Sequence, residues 1–359
     1  MLVSADNLVE FVKAIFVGAG SSADEAAAVA QNLVGANLRG HDSHGVQLVP
    51  RYVEHARDGR ANPGQSVTVT RDTGPIVQLD GNMGYGQVNG PIAMKMGIDK
   101  AREYGVAVVA LRNTHHLGRI GAWGEMCAEA GFVSMHWVNA TGHFPLVAPF
   151  GAIDARYTTN PYCTAFPATD EHPPLVLDMA TSAIAMGKVV VAHNRGEPVR
   201  DGALIDADGN PTNDPGVMFE EDAAKRGALL PVGTYKGYGL ALVCEMLAGA
   251  LVNNGTCLPA REAENSIVNG MLTVILNPAA IGDAEIYRRE RDAMTTYVKQ
   301  ARPAPGFGPV MVPGDPERKA LAERAAGGIP VDDTTWSQLM ETAADVGINA
   351  DSIEAMVGA

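Results

Sequence analysis

The sequence predicts an α/β protein, with helices packed on a mixed sheet and further helices at both ends of the chain. Two observations carry that expectation. Between residues 63 and 283, short apolar runs rich in valine and isoleucine alternate with segments whose apolar residues recur every three or four positions. In 1–62 and 284–359 the helical spacing dominates. The composition agrees: 359 residues, 46% hydrophobic and 19% charged, describe a globular chain with ample material for a core.

The elements follow in order. Ser4 is placed to cap a first helix carrying Leu8, Phe11, Val12, Ile15 and Phe16 on one face. The run from Gly18 to Ala23 imitates a dinucleotide fingerprint, but it follows a helix rather than a strand, so it is rejected. Ser22 and Glu25 form a capping-box pattern ahead of a second helix with Val29, Leu33, Val34 and Leu38. A third helix, with Leu48, Val49, Tyr52 and Val53, is expected to end near Gly59, and Asn62-Pro63-Gly64 marks a break. Val67–Val69 and Ile76–Leu79 read as paired strands. Gly84–Gly90 is a second glycine-rich run with the wrong spacing for a dinucleotide loop.

A helix around Ala93–Ile98 leads to a strand at Val106–Leu111 and then a polar loop, Arg112–Arg119. The next helix runs to Gly131, and Phe132–Val138 is a strand. Ala140–Pro174 reads as irregular, and irregular stretches of that length are usually functional. Leu175–Asp178 is a short strand, after which Thr181 and Ser182 are placed to cap a helix. From Asn194 to Gly233 the chain is polar and turn-rich. Asp206–Asn210 lacks the ligand spacing of a calcium loop. A helix is expected over Leu240–Leu251, a strand over Met271–Leu276, a charged helix from Ala284 to Lys299, a turn at Val312–Asp315 and two terminal helices.

Charge and cysteine content narrow the function. A net charge of −14 opposes nucleic acid as a partner, while leaving room for a local basic site that takes a small anion. Cys127, Cys163, Cys244 and Cys257 form no CxxC, so reduced thiols are expected rather than disulfides or a zinc ribbon, and no metal is required. The N-terminus has no basic segment followed by an apolar one. No apolar stretch approaches the roughly 18–20 residues of a membrane span. These features predict a cytoplasmic protein.

Five short stretches could carry chemistry. Asp42-Ser43-His44-Gly45 sets a serine beside a histidine at a glycine turn. His44 can exchange a proton near neutral pH, whereas the plain alternative makes Ser43 a helix cap and His44 a surface residue. Asn113–Gly118 contains adjacent His115 and His116 after a strand, where open α/β sheets hold ligands; a solvated histidine pair is the alternative. Asp178–Ser182 ends a strand in a carboxylate, suited to orienting a histidine or to a ligand at a helix start, or simply to the helix dipole. Lys236 lies between glycine-flanked tyrosines and could hold an anion or sit in a surface loop. Pro313-Gly314-Asp315 alone is no more than a turn.

Together the five stretches resemble the type-2 malate/L-lactate dehydrogenases, a family that also includes ureidoglycolate, sulfolactate and diketogulonate enzymes and cyclic-imine reductases. The resemblance runs from about Leu8 to about Gly347. It rests on Gly40–Gly45, Asn113–Gly121, Ala148–Gly151, Thr159–Pro161, Leu177–Ser182, Lys236–Tyr238 and Pro313-Gly314. It implies a nicotinamide-binding fold that is not of the Rossmann type. It also implies a helical unit built from 1–62 with 284–359, a catalytic α/β unit over 63–283, and a homodimer with active sites near the interface.

Residue by residue, the resemblance makes His44 the proton donor to the substrate carbonyl, Ser43 and Asp178 its relay partners, and His116 a second active-site histidine. His116, Gly118, Arg119, Ile120, Thr159, Asn160, Asp178, Met179, Ala180, Thr181, Lys236, Gly237, Pro313 and Gly314 match cofactor-contacting segments. NAD is the expected cofactor from the branch resembled, the hydroxycarboxylate dehydrogenases, with NADP as the alternative. One position departs. Many members carry a carboxylate-binding arginine four residues after the histidine, and here that position is Leu48, with Arg51 the nearest arginine. Leu48 suits an apolar substrate side chain, leaving the carboxylate to Arg119 or to backbone amides. The expected reaction is therefore reversible reduction of a 2-oxo acid to a 2-hydroxy acid. Imine reduction is the second reading, and a catalytically silent dimeric binding protein the third.

Overall fold

The computed structural model describes residues 1–349 together with Ile353 and Met356. β1 (Leu2–Val3) precedes α1 (Ala5–Gly18) and α2 (Ala23–Leu38), and two 3-10 turns, Asp42–His44 and Val46–Leu48, lead into α3 (Val49–Arg57). The central region contains β2 (Thr68–Thr73), β3 (Ile76–Asp80), α4 (Gly86–Tyr104), β4 (Val106–His115), α5 (Gly121–Glu129), β5 (Val133–Thr141), β6 (Tyr162–Phe166), β7 (Leu175–Met179) and α6 (Met186–Arg195). Next come β8 (Leu204–Ile205), β9 (Pro211–Thr212), β10 (Ala228–Leu229), α7 (Tyr235–Cys244) with its π-helical continuation Glu245–Leu251, and β11 (Val268–Leu276). The chain closes with α8 (Pro278–Ile281), α9 (Ala284–Lys299), α10 (Asp315–Gly327), β12 (Ile329–Pro330) and α11 (Asp333–Asp345).

The main sheet has seven strands in the order β2-β3-β4-β11-β5-β6-β7. Only β3 and β4 pair in parallel; the other neighbours are antiparallel, so the sheet is mixed. A small antiparallel sheet, β10-β8-β9, lies outside it. Within that small sheet, Asp206 Oδ1 accepts the N–H groups of Asp208 and Asn210, each at 2.9 Å, so the run resembling a calcium loop is a turn between β8 and β9.

Two large cores position the site. In the first, Leu8, Phe11, Val12, Ile15 and Phe16 of α1 pack on Val29, Leu33 and Val34 of α2, on Tyr52 of α3, and on Ile329 and Leu339 near the C-terminus. The periodicity of α1 and α2 decides this, because each presents one apolar stripe and each fully buried large side chain contributes about 1.5–3 kcal/mol. Ser4 and Ser22 cap the two helices as expected, accepting the N–H groups of Asn7 and Glu25. The second core lies between the sheet and α4 and α5, and includes Val109, Leu111, Trp123, Cys163 and Met271. α9 hydrogen-bonds instead to the 169–173 segment, through Arg291 and Thr296.

Several local expectations are corrected. The strand expected to stop at Leu111 continues to His115, because β11 pairs Asn269 with Thr114 and Val268 with His115 across a bulge. The stretch expected to be irregular contains β6, five residues set between Pro161 and Pro167 and paired on both sides. The helix expected from Leu240 begins at Tyr235, so Lys236 lies in its first turn. Thr181 and Ser182 cap no helix. Their hydroxyls donate to the carbonyls of Thr159 and Ile184, and α6 starts later, at Met186. Ser43 also caps nothing. It sits inside the 3-10 turn, and among the described residues no side chain caps that turn, the next one, or α3. The two glycine decoys prove to be a helix–helix turn and the entry into α4 with its first five residues.

Candidate active site

The turn Asp42–His44 is braced by both ends of the chain. Asn37 at the end of α2 donates to Asp42 Oδ1 at 2.7 Å and accepts the Val46 N–H at 2.8 Å. Arg324 of α10 donates to both Asp42 oxygens, at 2.6 and 3.0 Å, a two-pronged arrangement that fixes orientation as well as position. His41 Nε2 stands 3.2 Å from Glu317. Gly45 is required by close approach, since a Cβ there would run into the Asn37 amide.

On this base Ser43 Oγ lies 3.0 Å from His44 Nδ1. The His44 ring stacks on that of His116, with centroids 5.7 Å apart and planes at 24°. His116 follows the end of β4, and its Nδ1 is 2.6 Å from the hydroxyl of the fully buried Tyr52. Behind it, His115 Nε2 is 2.9 Å from His55 Nδ1, and Tyr52 meets the His115 ring edge-on. The helical core and the end of β4 thus meet in a row of rings.

Burial sets the protonation of that row. His44 is lowered to about 4, first by loss of water and then by the charges of His41, Arg119 and Lys188. His116 is held well below its ordinary range by burial and by His44, His115, Arg51 and His143. His55 and His115 are likewise lowered by burial, to about 4 and about 3. The imidazoles are therefore neutral at pH 7. The cations that depress them also make the site attractive to a small anion, despite the acidic chain as a whole.

Asp178 sits elsewhere in the same region. Its Oδ2 accepts the Gly121 N–H at 2.7 Å, at the start of α5. Burial raises its pKa, opposed by Arg119, His41 and that N–H. Its hydrogen bond goes to α5, so of the two expected relay partners Ser43 meets His44 directly and Asp178 does not. Arg119 is 3% exposed and pairs with Glu125 at 2.6 Å, while its Nη1 is buried without a hydrogen-bond partner among the described residues. A Cβ on Gly121 would strike that Nη1 and lie 2.9 Å from Asp178 Oδ2. Arg119 and Asp178 therefore converge on one glycine.

Several of the other expected cofactor positions are tied to β7 and the residues just after it. Val176 N–H donates to Pro313 O at 3.2 Å, which sets Pro313 and Gly314 along β7. Met179 pairs with Tyr162, and Ala180 follows it. Thr181 bonds Thr159 O through both its N–H and its hydroxyl, and accepts Val232 N–H at 2.8 Å. That contact draws in the turn before Lys236 and Gly237, where Thr234 takes φ 61° and ψ −123°, a strained conformation for a β-branched residue. Gly118 has φ +69° and approaches Asn32 and Gln87. Two members of the set point inward. Ile120 is buried in the sheet core, and Asn160 spends its amide on Glu245 at 2.7 Å and on Ala241 O. Leu48 is half-buried against the helical core, and Arg51 is exposed on α3.

Three contributors were missed in the sequence. Tyr52 passed for a core residue, and only its hydroxyl signals otherwise. Gln87 lies within a glycine decoy and donates to Tyr52 Oη at 3.2 Å. Lys188 follows Gly187, where a Cβ would collide with Ser43 and Gln47, so α6 lies directly against the 42–44 turn. Gly187→Val should cost about 1–3 kcal/mol by overpacking and also lower turnover, read by denaturant unfolding beside an activity assay. Loss of stability alone, with full turnover, would mean that α6 does not support the turn.

Among the described residues no group of three or more His, Cys, Asp and Glu side chains is arranged to hold a metal ion, and no helix is long and apolar enough to cross a membrane. Comparison with known proteins adds three kinds of likeness. A family model described as malate/L-lactate dehydrogenase matches residues 3–340. Hydroxycarboxylate dehydrogenase B of Escherichia coli K12 is 42% identical over 353 residues, covering 98% of this chain and 96% of that protein. L-lactate dehydrogenase of Cupriavidus necator is 39% identical, covering 97% of this chain and 99% of that one. The solved structure of a candidate malate/lactate dehydrogenase from E. coli superposes with a TM-score of 0.94 at 40% identity, covering all of both chains.

Proposed function

Since the chain belongs to the malate/L-lactate dehydrogenase family and is thereby an oxidoreductase of hydroxy acids, we propose that it interconverts a 2-oxo acid and a 2-hydroxy acid with a nicotinamide cofactor, NAD in preference to NADP. The observation that carries this reading is the His44–His116 pair, set in the field of Arg119, Lys188 and Arg51. Such a site can hold a carboxylate and exchange a proton with the neighbouring oxygen.

The residues present fit a dinucleotide. Arg119 Nη1 is a buried donor with no partner among the described residues, beside the glycine-lined start of α5. Gly118, Arg119, Thr159, Asp178–Thr181, Lys236-Gly237 and Pro313-Gly314 would hold it, Ile120 and Asn160 contributing backbone. A bound nicotinamide would supply or accept the hydride at the substrate carbon. His44 gives the proton to the substrate oxygen in reduction and takes it in oxidation. Ser43 orients the His44 ring through Nδ1. Asp178 acts through the field at the start of α5 and through Arg119. Lys188 and Arg119 take the carboxylate in place of the arginine absent at position 48, and Leu48 leaves that wall apolar.

Exposed apolar residues on α7 and its continuation, Val243, Met246 and Leu251, support a homodimer covering that face. We place the protein in the cytoplasm. The test is oxidation of NADH and NADPH against pyruvate, oxaloacetate, phenylpyruvate and a cyclic imine. Turnover is expected with NADH and the oxo acids whose side chains are uncharged. A preference for oxaloacetate would sink the apolar wall, and a preference for the imine would move the reaction to C=N. Cofactor binding without any turnover would leave a binding protein.

A further inference from the structure

We propose that Tyr52, held in turn by Gln87, fixes His116 as the neutral tautomer with its proton on Nε2, giving the site a permanently aligned N–H donor beside His44. The inference rests on the functional reading above only for the oxygen that receives this bond. The chain of donors follows from what each group can give and accept once every buried proton must find a partner. The Gln87 side-chain nitrogen lies 3.3 Å from the His116 carbonyl oxygen and 3.2 Å from Tyr52 Oη. A carbonyl oxygen only accepts, so the group facing it is the NH₂ and not the amide oxygen. The same NH₂ donates to Tyr52 Oη. The buried phenol has one proton to place, and its other hydrogen-bonding neighbour among the described residues is His116 Nδ1 at 2.6 Å; an N–H at Nδ1 would leave that phenol proton without an acceptor. Nδ1 therefore accepts, and the proton of the neutral ring is on Nε2, the edge away from Tyr52.

The surroundings hold both partners in those states. Tyr52 is fully buried and its pKa is pushed up, so the phenol keeps its proton. The charged and titratable groups whose fields reach His116 are His44, His115, Arg51 and His143, and all of them oppose a positive ring. The stacked pair thus divides its labour. His44 trades a proton, and His116 keeps one while hydrogen-bonding the substrate oxygen as negative charge gathers there. Tyr52 and Gln87 are positioning residues that act through His116.

The experiment uses the whole protein labelled with ¹⁵N-histidine at pH 7.5, with the His116 signals assigned by difference from His116→Gln. In the wild type Nδ1 should report as unprotonated and Nε2 as protonated. Tyr52→Phe keeps the buried ring and removes only the hydroxyl. It should mix the tautomers and lower kcat about tenfold with KM for the 2-oxo acid changed by less than about twofold. A wild-type His116 protonated on Nδ1, or a Tyr52→Phe protein with unchanged spectrum or unchanged kcat, would overturn the proposal. The expected tautomer in a wild type that turns over no 2-oxo acid with either cofactor would overturn the functional reading and leave the assignment of His116 standing.

Discussion

His44→Ala should lower turnover about 10²- to 10⁴-fold, the usual worth of a well-placed acid or base. The loss should fall on kcat, because the proton is exchanged only as the substrate bond changes. The fold should survive, since His44 is only partly buried and its turn is held by Asn37, Arg324 and the Asp42 carboxylate rather than by the imidazole. Steady-state rates with a 2-oxo acid and NADH, beside a thermal unfolding curve, give the comparison. Near-normal turnover would remove His44 from the role and leave His116 as the group that exchanges the proton.

The second large effect is a dependence on pH that differs in sign between the two directions. In the free protein His44 is lowered to about 4, chiefly by burial. Reduction needs the protonated ring, so its kcat/KM should fall about tenfold per pH unit above roughly pH 5. Oxidation needs the neutral ring, so its kcat/KM should be flat from roughly pH 5 to 8, as far as His44 governs it, and drop below about pH 4. An anionic substrate beside the ring opposes the depression, because negative charge favours the protonated form. The kcat profile for reduction should therefore break at higher pH than the kcat/KM profile. Rates in both directions across pH 4.5–8.5 test this, and a reduction kcat/KM that is level up to pH 7 would contradict the lowered His44.

The parts of the fold that were legible in the sequence are those fixed by near neighbours. The stripe on α1, the serine caps of α1 and α2, and the alternation through the central region all depend on residues within a few turns of one another. The failures come from distant pairing. Arg112 to His115 look like loop, and become strand because Arg112 pairs with Asp80 of β3 while Thr114 and His115 meet β11, which arrives from more than 150 residues away. β6 is too short and too closely flanked by proline to stand out, and its two neighbours define it.

The site divides in the same way. Ser43, His44 and His116 announce themselves by residue type, and the structure sets them side by side. Tyr52, Gln87 and Lys188 do not. A tyrosine on an apolar stripe, a glutamine in a glycine run and a lysine on a helix gain chemical meaning only from what faces them across the seam between two cores. Asp178 was conspicuous in the sequence, but its visible partner is a backbone N–H of α5.

The place of β11 also governs how the chain can be assembled. β11 lies between β4 and β5 at the middle of the seven-stranded sheet, yet it is the last strand of that sheet to leave the ribosome. Until then β4 and β5 present unpaired inner edges, the kind of surface that invites pairing with other chains. Closure of the first core waits longer still, because Val3 pairs with Ile329 and both belong to it. A nascent chain ending before residue 268 can complete neither the main sheet nor the first core, so folding is expected to be largely post-translational and slow, governed by contacts remote in sequence.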